Sequence, residues 1–218
     1  MAKPLLVIGN KNYSSWSLRP YLALAMGGIA FDVKLIPFDK SAFGKAARKI
    51  SKAGLVPILV HGKNTVWDSL AIMEYVAETW PDRNLWPKNK SARAMARSVS
   101  AEMHSGFRNL RSACPMNLRR AIKPVPMNDG ILVDISRIES LWRECRTAHG
   151  RGGPFLFGKF SIADAMFAPV VTRFETYDIK VSTDTQHYMN AILATPAFHD
   201  WKGDALKEKW VFAEDEVD

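Results

Sequence analysis

The pattern of apolar residues changes character once, near residue 81, and that change constrains the fold more than any other feature of the chain. Before it, short apolar runs of strand length alternate with helix-period segments; after it, every periodic segment is helical. Residues 4–9 read as a buried strand. Ser15 to Met26 carries Trp16, Leu18, Tyr21, Leu22 and Ala25 at helical spacing and stops at Gly27-Gly28. Residues 31–38 read as a second strand, 42–50 as a short basic helix, and 56–60 with 65–67 as a hairpin around His61-Gly62-Lys63-Asn64. Residues 69–80 form an amphipathic helix closed by Pro81. The order β-α-β-α-β-β-α predicts a mixed sheet whose first two strands run parallel across a helical crossover.

Pro81 and Pro87 bracket a turn-rich stretch, 81–89, that reads as a linker. Beyond it, Met95, Val99, Met103, Phe107 and Leu110 mark one face of a long helix beginning near Ser91. Ile131, Ile135, Ile138, Trp142 and Cys145 mark another. Residues 114–130, rich in Pro, Arg and Asn, read as a bent or looped segment between them. Ser161-Ile162-Ala163-Asp164 has capping-box spacing, with Asp for the usual Glu. The helix it opens is apolar on most sides, as the central helix of a bundle would be, with a bend near Pro169. The predicted division is 1–82, a linker at 83–90, and 91–218.

Composition narrows the classes of function. The 218 residues suffice for a sizeable core. Cys114 and Cys145 alone build neither a disulfide framework nor a four-ligand zinc site, and no metal is expected. A reducing cytoplasm is the expected compartment. The N-terminal apolar stretch is too brief for a signal core, and no run approaches the roughly 20 residues of a membrane span. The net charge of +8 is spread along the chain with acidic residues interleaved, so no nucleic-acid partner is expected. A positive surface also attracts a small anion.

Three segments carry the chemistry. Asn12-Tyr13-Ser14-Ser15-Trp16-Ser17-Leu18-Arg19-Pro20 lies directly between the first strand and the first helix. Leu55-Val56-Pro57-Ile58-Leu59 opens the hairpin, and Trp67-Asp68-Ser69-Leu70-Ala71-Ile72-Met73-Glu74-Tyr75 opens the third helix. Together, in this order, they resemble the cytosolic glutathione S-transferase superfamily. The first is similar to the Ser-Ser-x-Ser-x-Arg box of the zeta class, and the second to the Val-Pro turn of thioredoxin-like glutathione sites. The third resembles the family's acidic/amide-Ser-x-Ala-Ile-x-Glu-Tyr segment. The linker and capping box also fall where the family has them, so the resemblance covers nearly the whole chain.

The resemblance implies an α/β thioredoxin-like N-terminal domain plus an all-α helical-bundle C-terminal domain. It implies a homodimeric detoxification enzyme that adds the glutathione thiolate to a small electrophile. Glutathione is then a co-substrate, with no permanently bound cofactor. Ser14 or Ser15 is implied as the catalytic hydroxyl. Trp16, Arg19, Val56, Pro57, Asp68 and Ser69 are implied to bind glutathione, with Val56-Pro57 as a cis peptide. Met103, His104 and Phe107, on or beside the inner face of the long helix, are expected at the electrophile.

Magnitudes support a serine. Lowering a bound thiol by two pKa units takes about 2.7 kcal/mol of preference for the anion. A hydroxyl donating to that anion supplies roughly 1.5–3 kcal/mol. The positive end of a helix adds about 0.3–1 kcal/mol. Either Ser14 or Ser15 combines both terms, and a helix cap is the plain structural role of such a residue.

Some positions depart from the family pattern. Leu55 stands where a Lys, Arg or Gln usually meets the glycyl carboxylate, which leaves Lys52 or Lys11 as the expected substitute. Trp16 replaces the cysteine of zeta and beta enzymes, which argues against disulfide exchange. Arg108, Arg111, Arg119 and Arg120 read as a mostly solvated face, and Cys114 and Cys145 as structural. Two alternatives stand beside the transferase. One is a glutathione-dependent cis–trans isomerase of the maleylacetoacetate type, although Arg173 is out of step with the substrate arginine of those enzymes by about one helical turn. The other is a non-catalytic interaction module, which the complete motif set argues against.

Overall fold

A computed structural model describes residues 2–39 and 42–217 of the chain. Its N-terminal half is built around β1 (Leu5–Ile8), in which Leu6, Val7 and Ile8 are fully buried. A strand covered on both faces needs apolar side chains at successive positions. β1 pairs in parallel with β2 (Asp32–Leu35) and antiparallel with β3 (Ile58–His61). β4 (Asn64–Val66) pairs antiparallel with β3, giving the order β2-β1-β3-β4. The crossover between the parallel strands is α1 (Ser15–Met26), which buries Leu18, Leu22, Ala23 and Leu24. Gly28 follows it with φ +63°, a left-handed conformation that costs glycine little. α2 (Phe43–Arg48) and α3 (Ser69–Thr79) complete this half. The strands are shorter than their apolar runs: the Ile36 N–H still bonds the Ile8 carbonyl at 2.8 Å, but Phe38 after β2 and Val56-Pro57 before β3 lie on the walls of the cleft described below.

After a 3-10 turn at Pro81–Arg83, Asn89 caps α4 (Lys90–Ser105) by accepting from the Ala92 N–H at 3.0 Å. The predicted long helix ends there. Gly106 donates to the Glu102 carbonyl at 2.8 Å, and a Cβ at this glycine would lie 2.7 Å from that oxygen. Phe107 then takes φ +58°, and α5 (Arg108–Ala113) starts afresh. Phe107 and Leu110 stay buried across the break, so the apolar rhythm continues although the helix does not.

α6 (Asp129–His149), α7 (Ile162–Thr176), α8 (Thr183–Leu193) and α9 (Pro196–Ala205) finish the bundle. α7 is its centre, packed against α1, α4 and α8 and buried along nearly its whole length. Asp164 closes the capping box, accepting from the Ser161 N–H at 2.8 Å and from Leu156 N–H at 3.0 Å. Among the described residues no helix is long and apolar enough to cross a membrane.

Residues 206–217 run from α9 back over the N-terminal half as a strap. Glu208 accepts from the backbone N–H groups of Lys11 and Asn12 at 2.7 and 3.1 Å. Arg119 donates to the strap carbonyls of Glu208 and Trp210, and Arg120 to that of Val217. Phe212 packs against the rings of Tyr13 and Phe38.

Candidate functional site

The start of α1 separates the two serines. Ser14 is the N-cap: its Oγ accepts from the Ser17 N–H at 3.3 Å and donates to Ser17 Oγ at 2.7 Å. Ser17 Oγ in turn accepts from the Gly9 N–H at 3.1 Å. Ser15 is the first helical residue, and its hydroxyl makes no hydrogen bond to a described residue. One hydroxyl is therefore engaged in holding the turn, and the other is available.

The Val56-Pro57 peptide is cis, and neither the N–H nor the C=O of Val56 is bonded to a described residue. The peptide between Trp67 and Asp68 is cis as well. Asp68 caps α3 through Oδ1, which accepts from the Leu70 N–H at 3.1 Å, while Oδ2 lies 3.1 Å from His104 Nε2. Ser69 is fully buried with its hydroxyl unpartnered, and Nδ1 of His104 is likewise buried without a partner. Leu55, at the position where the family pattern has Lys, Arg or Gln, is 65% exposed. Lys11 is tied to Asp204 at 2.6 Å and lies over the Tyr21 and Trp201 rings, and neither it nor Lys52 reaches the cavities described next.

Two cavities adjoin here and share Trp16, Leu55 and Val56. The smaller, about 480 Å³, also has Pro57, Trp67 and Asp68 in its wall. The larger, about 640 Å³, is walled by Ser14, Ser15, His104, Arg108, Arg111 and Arg173 together with strap residue Asp215. Of the three residues expected at the electrophile, His104 lies on this wall. Met103 and Phe107 are packed into the core instead. Met103 is buried within α4 ahead of the break at Gly106, and beyond it Arg108, Arg111 and Ser112 of α5 face the cavity while Phe107 stays in the core.

The electrostatics are dominated by guanidinium groups. Arg19 and Arg111 both lie over the Trp16 ring, 4.2 and 4.7 Å from its centroid. Arg19 is completely buried outside the cavity walls, with Nε and Nη1 unpartnered. Burial, reinforced by Arg111 and Arg173, holds its pKa well below the usual arginine value. Arg173 donates Nε to the Cys114 carbonyl and Nη1 to the Pro169 carbonyl, each at 2.8 Å. Burial and then Arg111 push it down to about 10, so it stays charged at neutral pH. Asp215 faces this group as the one acidic side chain of the described wall. Burial pushes it up to about 6 against the pull of Arg173.

Arg111, half-buried, and Arg108, which stays exposed to solvent as expected, both line the cavity, and Arg119 and Arg120 hold the strap. No local sequence signal marks this. Both thiols are buried, unpaired and pushed up, Cys114 to about 11 and Cys145 to about 12. Among the described residues no group of three or more His, Cys, Asp or Glu is placed to hold a metal.

Comparison with known proteins fits this geometry. The sequence model of the glutathione S-transferase N-terminal domain matches residues 13–79, and that of the C-terminal domain matches 129–201. A probable maleylacetoacetate isomerase of Caenorhabditis elegans is 33% identical over 108 residues, half of either chain. The maleylacetoacetate isomerase of Rattus norvegicus is 27% identical over 203 residues, 90% of either chain. A Burkholderia glutathione transferase homolog, solved with bound glutathione, shares the fold with a TM-score of 0.72 and 21% identity over 95% of this chain and 100% of its own. With both domain models matched in order and the fold shared from end to end, the chain belongs to the glutathione S-transferase family.

Proposed function

We propose that this chain is a glutathione transferase that joins the glutathione sulfur to a small electrophile, with Ser15 holding the thiolate. One observation carries the reading. The available Ser15 hydroxyl, the unpaired backbone groups of Val56 and the Asp68-Ser69 end of α3 converge on two cavities that meet at Trp16, Leu55 and Val56.

Each group has a task. The Val56 N–H and C=O suit the cysteinyl peptide of glutathione, which adds like a strand. Ser69, with the N-terminus of α3, suits the γ-glutamyl carboxylate, and Asp68 suits the ammonium. Ser15 donates its O–H to the sulfur at the positive end of α1. Together these terms reach the roughly 2.7 kcal/mol needed to ionise the thiol near neutral pH. The thiol loses its proton, a sulfur lone pair forms the new bond to carbon, and the displaced electron pair leaves with the departing group or takes up a proton.

The same reading assigns 1–82 to glutathione, 83–90 to the linker and 91–218 to the electrophile. It takes the enzyme as a cytoplasmic homodimer acting in detoxification, in keeping with the family resemblance and the two unpaired thiols. Calorimetry at millimolar glutathione, followed by a panel of electrophiles, tests it. No heat and no thermal stabilisation by glutathione would remove the reading.

A second reading is favoured by Arg173. This residue lies on the cavity wall, and both relatives named above carry the name maleylacetoacetate isomerase, one of them as probable. In that case a cis double bond is isomerised while glutathione is recovered unchanged, which a mass balance on glutathione distinguishes.

A further inference from the structure

We propose that a third cavity, between the start of α4 and the loop joining α6 to α7, is a second binding site that takes the phosphate ester of a flat ring compound, either a nucleotide or a simple aryl phosphate. The site stands apart from the glutathione reading, because this cavity shares no described residue with the two that meet at Trp16.

The cavity measures about 570 Å³, within the roughly 300–1,000 Å³ of small-molecule sites. Its wall has an aromatic part and a cationic part. Phe157 and Phe160 line it half-buried, and His149 lies nearly parallel to Phe157, with ring centroids 6.0 Å apart and planes at 22°. Lys88, Arg151 and Lys159 line the same cavity and stay exposed. None of these three side chains bonds to a described residue, and no acidic side chain is among the described residues of the wall. Exposed cations elsewhere do find carboxylates: Arg137 meets Glu102 and Lys180 meets Asp178, each at 2.7 Å. Three unpaired cations exceed the single charge of a carboxylate. A phosphate monoester brings nearly two charges and three acceptor oxygens, and its ring can stack on the aromatic part.

The backbone that carries these side chains is fixed from several directions. Arg146 of α6 pairs with Asp184 at 3.0 Å and donates Nη1 to the Pro154 carbonyl at 2.6 Å. Inside the loop, the Gly158 N–H bonds the Phe155 carbonyl at 3.2 Å and the Lys159 N–H bonds the Phe157 carbonyl at 3.0 Å. The loop closes on itself so tightly that a Cβ on Gly153 would lie 1.9 Å from the Gly158 carbonyl oxygen. The Asp164 carboxylate holds the Leu156 N–H at 3.0 Å, and the Ile162 N–H donates to the Leu85 carbonyl at 2.9 Å. That last bond joins the far end of the loop to the segment that leads into Lys88. The backbone needs little further ordering when a ligand arrives, which lowers the cost of binding.

Calorimetry on the full chain with adenosine monophosphate, phenyl phosphate, inorganic phosphate and adenosine tests this. At least one of the two esters should bind about tenfold tighter than inorganic phosphate, and adenosine should bind more weakly than its phosphate. Which ester leads tells a nucleotide from a simple aryl phosphate. Arg151→Gln and Lys159→Gln should each weaken the ester about fivefold or more, and Phe157→Leu should reduce its advantage over inorganic phosphate. The two charge variants remove side chains that bond to no described residue, so their thermal midpoints should match the wild type. Arg111→Gln, in the cleft, should leave ester binding unchanged. No ester binding at millimolar concentration, or inorganic phosphate binding as tightly as both esters, would overturn the proposal. So would an affinity that Arg151→Gln and Lys159→Gln leave intact, or one that Arg111→Gln abolishes, since the anion would then sit elsewhere.

Discussion

Asp68 and His104 meet across the cleft between the two halves of the chain, with Oδ2 of the carboxylate 3.1 Å from Nε2 of the imidazole. The other oxygen of Asp68 caps α3. The edge of the Trp16 ring system faces His104 with the ring centroids 5.2 Å apart. One carboxylate therefore links the third sequence motif to the wall of the larger cavity, where His104 and Trp16 both lie.

Substitutions at Asp68 separate its two tasks. Asn caps helices about as well as Asp, so Asp68→Asn should leave stability within about 0.5 kcal/mol of wild type. It removes the charge proposed to meet the glutathione ammonium, so affinity should fall about tenfold or more. Asp68→Ala should add about 1 kcal/mol of lost helix stability. A purely catalytic defect with unchanged glutathione affinity would contradict this role.

Asp164 is a matter of folding alone. Its carboxylate serves the Leu156 N–H, the Ser161 N–H and the Ser161 hydroxyl inside the most buried part of the bundle. Alanine would leave two buried backbone donors unpaired and undo the start of α7. Asp164→Ala should cost about 3 kcal/mol or more, read from denaturant midpoints. A loss below about 1 kcal/mol would mean that water replaces the carboxylate.

Much of this was legible in the sequence, and the exceptions have physical causes. The bounds of α1, the mixed sheet and the capping box follow from local rules, because Gly27-Gly28, the apolar runs and Ser161-Asp164 act on their own neighbours. The break between α4 and α5 does not. Met103, Phe107 and Leu110 keep a helical rhythm through it, and the chief cue is Gly106, whose close approach to the Glu102 carbonyl is visible only in three dimensions. The arginines of the cavity were hidden for a similar reason. Arg111 and Arg173 reach one cavity wall from different helices, α5 and α7, and no spacing along the chain records that. The strap gave little more warning than the acidic run Glu214-Asp215-Glu216 in a basic chain.

Asp215 also makes a prediction about pH. Burial pushes its pKa up to about 6, above the roughly 3.9 of an unfolded aspartate. The folded chain thus binds this proton more tightly than the unfolded one. The stability it contributes is complete below about pH 4 and is lost as pH rises through about 6. Asp215→Asn cannot ionise, so its thermal midpoint should improve relative to wild type between pH 4 and pH 7. Movement in the opposite sense would show that Arg173 holds the carboxylate low in a closed ion pair.

The two serines at the head of α1 should fail in different ways. Ser14 caps the helix and is bonded to Ser17, so Ser14→Ala should cost about 1 kcal/mol of stability. Its effect on the bound thiol should be small. Ser15 makes no bond to a described residue, so Ser15→Ala should leave stability nearly unchanged. If its hydroxyl holds the sulfur anion, the same substitution should raise the pKa of bound glutathione by about one unit or more, a loss of about 1.4 kcal/mol. Affinity for glutathione should change little in either variant, because the peptide ends make most of the proposed contacts. Ultraviolet titration of the thiolate band in both single variants and the double variant measures the shift directly. A shift in Ser14→Ala alone would transfer the role to the capping serine. No shift in any of the three would falsify the serine mechanism and leave the backbone amides of the turn to hold the charge.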